Sequence, residues 1–149
     1  MAEHKTFRDA VEACEDISGA YQAGLKALGK QSSVVQPANV RELSGSVDID
    51  KATLPLYPHA ARWDYVVGYK EQAYFVEIHP ANTSNVAEMV KKVDWLKAWL
   101  NKKAEPLKKI KAKPYYWVPS GKVAILPNSK QARQLGTYNI KLVRVLELK

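Results

Sequence analysis

The chain has 149 residues, 46% hydrophobic and 26% charged, a composition that suits one globular domain over residues 1–149 and excludes a disordered or fibrous chain. A single cysteine, Cys14, excludes a disulfide framework and a cysteine-built zinc site, and no apolar run approaches the ~18 residues of a membrane span. Twenty-three Lys and Arg against fifteen Asp and Glu leave a net charge of +8, which points to a polyanionic partner.

The charge is concentrated. Lys91, Lys92, Lys97, Lys102, Lys103, Lys108, Lys109, Lys111 and Lys113 face only Asp94 and Glu105, so this segment holds +7 of the +8. Such a segment is the electrostatic footprint of nucleic-acid contact, although a solubilising lysine face has the same composition. The first five residues, Met1 to Lys5, lack the apolar centre of a signal peptide, so the expected compartment is the cytoplasm, with no membrane partner.

Taken in chain order, Phe7, Ala10, Val11, Cys14, Ile17, Tyr21, Leu25 and Leu28 follow helical spacing and predict one helix over 7–28, with Thr6 as its cap and Gly29 as its end. Gly19 and Gly24 within it predict a close packing contact. Residues 29–39 read as a loop, and 47–50 as a short alternating strand. Two stronger strands follow, Arg62 to Gly68 and Ala73 to His79, rich in aromatic and β-branched residues and joined as a hairpin; Pro80 is expected to end the second. A helix is predicted from Asn85 to Leu100, capped by Ser84 or Asn85, with Val86, Met89, Val90, Val93, Leu96 and Leu100 buried. Beyond a lysine-rich linker come strands over 115–118 and 122–126, a short helix over 129–135 stopped by Gly136, and a final strand over 140–148. The order helix, strand, strand, strand, helix, strand predicts an α/β fold, a mixed β-sheet flanked by helices with C-terminal strand additions.

The hairpin's register carries the chemical argument. With Lys70-Glu71 as a two-residue turn, or Tyr69 to Gln72 as a four-residue one, paired residues sum to 141, which sets Asp64 opposite Glu77 and Arg62 opposite His79 on one face. Trp63, Tyr65, Val67, Tyr74, Val76 and Ile78 fall on the other. Two facing carboxylates destabilise a sheet unless a cation lies between them, and hard oxygen ligands suit Mg²⁺ or Mn²⁺. An odd-length turn would separate the two carboxylates.

Asp64, followed by Glu77, Ile78 and His79 on the next strand, after an N-terminal helix and before a helix with a basic surface, resembles the core of the PD-(D/E)XK nuclease superfamily. The resemblance covers roughly residues 7–118 and implies a restriction-endonuclease-like core that hydrolyses phosphodiester bonds, in DNA sooner than RNA. It makes Asp64 and Glu77 metal ligands with the Ile78 carbonyl as a third, and a first-helix glutamate, Glu15 ahead of Glu12, an accessory. His79 stands where the superfamily has lysine. Either His79 is the general base, or Lys70, Lys91 or Lys92 supplies a relocated lysine, or the site has decayed and the domain only binds nucleic acid or assembles with a partner. Arg62, Lys70, Lys91, Lys92, Lys102, Lys103, Lys108, Lys109, Lys111 and Lys113 are the candidate phosphate contacts.

Other chemistry-bearing residues have plainer readings. Asp48 and Asp50 share a face but suit a strand end, His4 and His59 read as surface residues, and Cys14 reads as core filler. Trp95 and Trp99 lie off the buried stripe of the second helix, among Glu88, Lys91 and Lys92. They fit burial or a homodimer contact, or stacking on unpaired bases. Tyr115, Tyr116 and Trp117 admit the same readings. No Gly-rich phosphate loop, nucleophile elbow or zinc-binding helix motif is present.

Overall fold

The computed structural model describes residues 6–149 and shows a mixed five-stranded sheet between a layer of helices and a smaller β layer. His4 lies outside the described residues. The elements are α1 (Phe7–Glu12), β1 (Val35–Pro37), β2 (Leu43–Asp48), α2 (Ile49–Thr53), β3 (Tyr65–Tyr69), β4 (Gln72–Ala81), α3 (Asn85–Lys102), α4 (Glu105–Lys109), β5 (Tyr115–Val123), α5 (Lys130–Thr137), β6 (Ile140–Leu142) and β7 (Leu146–Leu148). The main sheet runs β2-β3-β4-β5-β6: β2, β3 and β4 form an antiparallel meander, α3 carries the chain back so that β5 lies parallel to β4, and β6 is parallel to β5. β1 and β7 pair in parallel as a separate ribbon. No helix of the described residues is long and apolar enough to cross a membrane.

The sheet separates two apolar clusters. On the helix side Phe7, Val66, Phe75, Met89, Leu96, Leu107 and Trp117 pack together. On the other side Val67, Tyr69, Val76 and Val118 meet Leu28, Val35, Leu146 and Leu148. Alternation along β3 and β4 decides which residue faces which layer.

The predicted first helix is corrected: α1 ends at Glu12, a 3₁₀ turn follows at Glu15–Ile17, and Gln22 bridges to Ser46 of β2. Phe7 to Ile17 pack on the helix side, whereas Leu25 and Leu28 pack on the far side, which no straight helix can do. A succession of turns mimics the 3.6-residue period because each turns an apolar side chain inward. Gly24 supplies a positive φ of 52° for the reversal; the tight contact expected at Gly19 and Gly24 lies instead at Gly68, where an added Cβ would run into the Phe7 ring.

Further corrections follow one pattern, backbone pairing overriding local punctuation. Residues 35–37 of the expected loop form β1, because β7 offers them a partner. The strand expected at 47–50 is β2, and it ends at Asp48, whose carboxylate accepts the Lys51 N–H at 2.9 Å and starts α2. Pro80 does not end β4, which runs to Ala81; its missing N–H falls at an irregularity between His79 and Ala81. The two strands expected across 115–126 are one, and the single strand expected over 140–148 is two, in different sheets. Gly136 lies inside α5 and does not stop it. The lysine linker contains α4, whose Leu107 is buried.

Candidate metal centre at the end of the hairpin

The hairpin turn is Lys70-Glu71, both with left-handed backbone at φ 50° and 60°, the geometry of a two-residue turn that matches strand twist. Tyr69 pairs with Gln72 and Tyr65 with Val76, the register that sums to 141. The ladder stops there. The next N–H on that side of β4, that of Ile78, donates instead to Asp64 Oδ2 at 3.0 Å, and Asp64 N–H donates to Glu77 Oε1 at 2.9 Å. Trp63 therefore leaves the strand: it was expected beside Tyr65 and Val67, but it is wholly buried in the helix-side cluster, with its indole N–H donating to the Tyr65 carbonyl at 3.0 Å. In an extended strand a residue's N–H and C=O point the same way, so the Ile78 carbonyl also faces the gap that β3 vacates.

α3 closes the site. Lys92 Nζ lies 2.7 Å from Glu77 Oε2 and donates to the Arg62 carbonyl at 3.1 Å. Glu77 is fully buried, and its Oε2 has the Lys92 ammonium as its close charged neighbour. Burial, then the Asp64 charge, push the Glu77 carboxyl up to about 8, with Lys92 offsetting only part. Burial likewise raises the Asp64 carboxyl, against the Ile78 N–H and Lys92. His79 turns toward α3: its Nε2 is 2.8 Å from Glu88 Oε2, and its Nδ1 is 3.9 Å from Glu77 Oε2. The site thus sets two carboxyl groups and one ammonium together out of water, and the Glu77 carboxyl is held up near 8.

The remaining candidates separate into near and far. The Arg62 side chain turns away from Glu77, donating to Asp50 Oδ1 at 2.8 Å and to the Tyr57 carbonyl, and the Asp48 carboxyl is raised by burial and by the charges of Asp50 and Asp64. Glu15 and Glu12 are exposed; Glu12 pairs with Arg8, and no hydrogen bond or ion pair ties either to Asp64 or Glu77. Lys70 lies in the hairpin turn at the opposite end of β3, where its ammonium donates to the Lys149 carbonyl. Lys91 is exposed next to Lys92. Lys102 and Lys103 lie ten and eleven residues further along, about 15 Å at 1.5 Å per residue. Lys111 bridges to Ala73, four residues before Glu77 on β4, or about 13 Å away. Its ammonium stands 4.1 Å above the Tyr115 ring and its pKa is lowered by burial and by Lys97 and Lys113. Lys108, Lys109 and Lys113 are exposed around α4 at that same end. The basic run and the carboxylates thus adjoin only at Lys91 and Lys92.

Cys14 is buried core, its thiol pushed up to about 11, and His59 is exposed. Sequence reasoning missed two roles. Glu88 read only as a neighbour of Trp95 and Trp99 on the exposed side of the helix, yet its Oε2 holds His79 Nε2 at 2.8 Å, a contact between strand and helix that no local spacing signals. Asp16 had no signal: its Oδ2 accepts from Tyr57 OH at 2.8 Å and from Trp99 Nε1 at 3.0 Å, across 41 and 83 residues. Among the described residues no three His, Cys, Asp or Glu side chains cluster as a metal site, so a cation here would rest on two carboxylates and a carbonyl. Comparison with protein-family models, curated proteins and solved structures gave no match for this chain.

Proposed function

We propose that the protein is a metal-dependent nuclease of restriction-endonuclease-like fold that hydrolyses phosphodiester bonds in DNA, with RNA as the alternative substrate. The observation that carries this is the buried Glu77 carboxylate beside Asp64 with Lys92 at 2.7 Å, an arrangement costly to stability and useful to chemistry. Asp64, Glu77 and the Ile78 carbonyl would hold Mg²⁺ or Mn²⁺; the buried Glu77 carboxyl, raised beside Asp64, fits a cation site. The ion supplies Lewis acidity toward the phosphate and a lower pKa for bound water. Lys92 takes the part of the superfamily's lysine, offsetting charge on the phosphate. His79, fixed by Glu88, presents Nδ1 toward the carboxylates and can accept a proton there.

The test is cleavage of supercoiled, linear and single-stranded DNA with Mg²⁺ or Mn²⁺. Nicking by the wild type that Asp64→Ala and Glu77→Ala both abolish supports the reading; cleavage that survives both overturns it. A second reading, a nuclease-like domain that only binds nucleic acid or assembles with a partner, is favoured by Lys92 already standing against Glu77 Oε2. It predicts salt-dependent binding indifferent to both substitutions.

A further inference from the structure

A stripe of α3 leads away from the carboxylates. Lys92, Trp95, Trp99 and Lys102–Lys103 recur at helical spacing, and residues 57–62 form the facing wall, tied to the helix by the Lys92 bond to the Arg62 carbonyl. Between them lies a cavity of about 330 Å³ lined by Tyr57, Ala60, Trp95, Trp99, Lys102 and Lys103, at the small end of the ~300–1,000 Å³ range of ligand sites.

The slot is built. Trp95 stacks on Trp99 with ring centroids 5.6 Å apart and planes 10° from parallel, and Tyr57 meets Trp95 edge-on at 5.7 Å. Asp16 locks both outer rings by accepting from Tyr57 OH and Trp99 Nε1. Trp99 is 3% exposed and serves as backing, whereas Trp95 keeps part of its surface open. No acidic residue lines the slot, and among the described residues neither Lys102 nor Lys103 makes an ion pair. An aromatic wall with two solvated cations at its rim matches one ligand chemistry: a planar base joined to a phosphate.

We propose that this slot takes an unpaired base of the strand held at Asp64 and Glu77, so that the substrate class is nucleic acid with a single-stranded segment running along α3. The inference rests on the nuclease reading for what the slot serves, but its test needs neither metal nor cleavage. Fluorescence anisotropy of a short labelled oligothymidylate and of a duplex of equal length is measured in EDTA. The wild type is expected to bind the single strand more tightly. Trp95→Ala should weaken that binding about tenfold with the duplex unaffected, Trp95→Phe should restore most of it, and the exposed pair Lys102→Ala with Lys103→Ala should flatten its salt dependence. Equal affinity for both probes, or single-strand binding unchanged in Trp95→Ala and in the lysine pair, overturns the proposal. So does a dimer in sedimentation that Trp95→Ala dissociates, since a second copy would then fill the slot. Loss of cleavage-competence with intact single-strand binding would count against the nuclease reading alone.

Discussion

The middle of α3 and the segment from its last residue onward carry the same residue in opposite circumstances. At its middle, Lys92 is mostly buried, 2.7 Å from the Glu77 carboxylate, and it pulls down the carboxyl pKa of both Glu77 and Asp64 against the effect of burial. At its last residue and beyond, Lys102, Lys103, Lys108 and Lys109 are solvated, and among the described residues only Lys109 of these has an ionic partner, Glu105 at 3.9 Å. Net charge counts these lysines equally; energetics does not, because a charge in water interacts weakly and one removed from water interacts strongly. The basic run of the sequence is mostly surface; Lys92 and Lys111 are drawn out of water, and of the two only Lys92 stands beside a carboxylate.

This contrast can be broken at Lys92 first. Lys92→Ala should lower metal-dependent cleavage by about 10²-fold or more, as loss of one preorganised charge does. It should also destabilise the fold, and more at pH 9 than at pH 5, because the buried Glu77 carboxyl, already raised to about 8, then has no cation beside it when it ionises. Chemical denaturation at pH 9 and pH 5 reads the second effect: the loss should shrink at pH 5, where Glu77 is protonated. An equal loss at both pH values would mean that Lys92 contributes packing and not charge.

A smaller effect is expected from pH alone. Because folding raises the Glu77 pKa from 4.5 to about 8, the folded state binds more protons between those values, and stability falls as pH rises through that window. The melting temperature of the metal-free protein should decline from pH 5 to pH 8, and Glu77→Gln should remove most of the slope. A slope unchanged in Glu77→Gln would place the titrating group elsewhere.

The smallest effect belongs to the solvated lysines. Lys108→Ala and Lys109→Ala should each leave stability within about 0.5 kcal/mol of the wild type. They should leave cleavage of short substrates unchanged, since they stand with α4 at the far end of the sheet. A large loss of cleavage in either would move the nucleic-acid path to that end.

How much of this was legible before the structure depends on the range of the interaction. The hairpin register was readable because turn length and strand alternation are local, and they fix Asp64 against Glu77 without knowledge of the rest. The second helix was readable for the same reason, its apolar stripe being buried except at Val90, which stays partly open. The first helix was misread because an apolar period does not distinguish one helix from short turns wrapping a sheet edge. Trp63 was misplaced because strand alternation holds only while the ladder lasts, and Asp64 ends it by taking the Ile78 N–H. Lys92 was one of three lysines that might have reached the carboxylates; choosing among them needed the angle at which α3 crosses the sheet. Asp16 was invisible, since its two bonds close loops that no local pattern announces.

The central claim is that Asp64 and Glu77 are an acidic pair short of one cation, and calorimetric titration of Mn²⁺ at pH 7 in two buffers of different ionisation enthalpy tests it most directly. The account predicts one Mn²⁺ bound with release of protons from Glu77, and loss of that binding in Asp64→Ala and Glu77→Gln. Absence of binding, or binding that is unchanged in both variants and releases no proton, would contradict it.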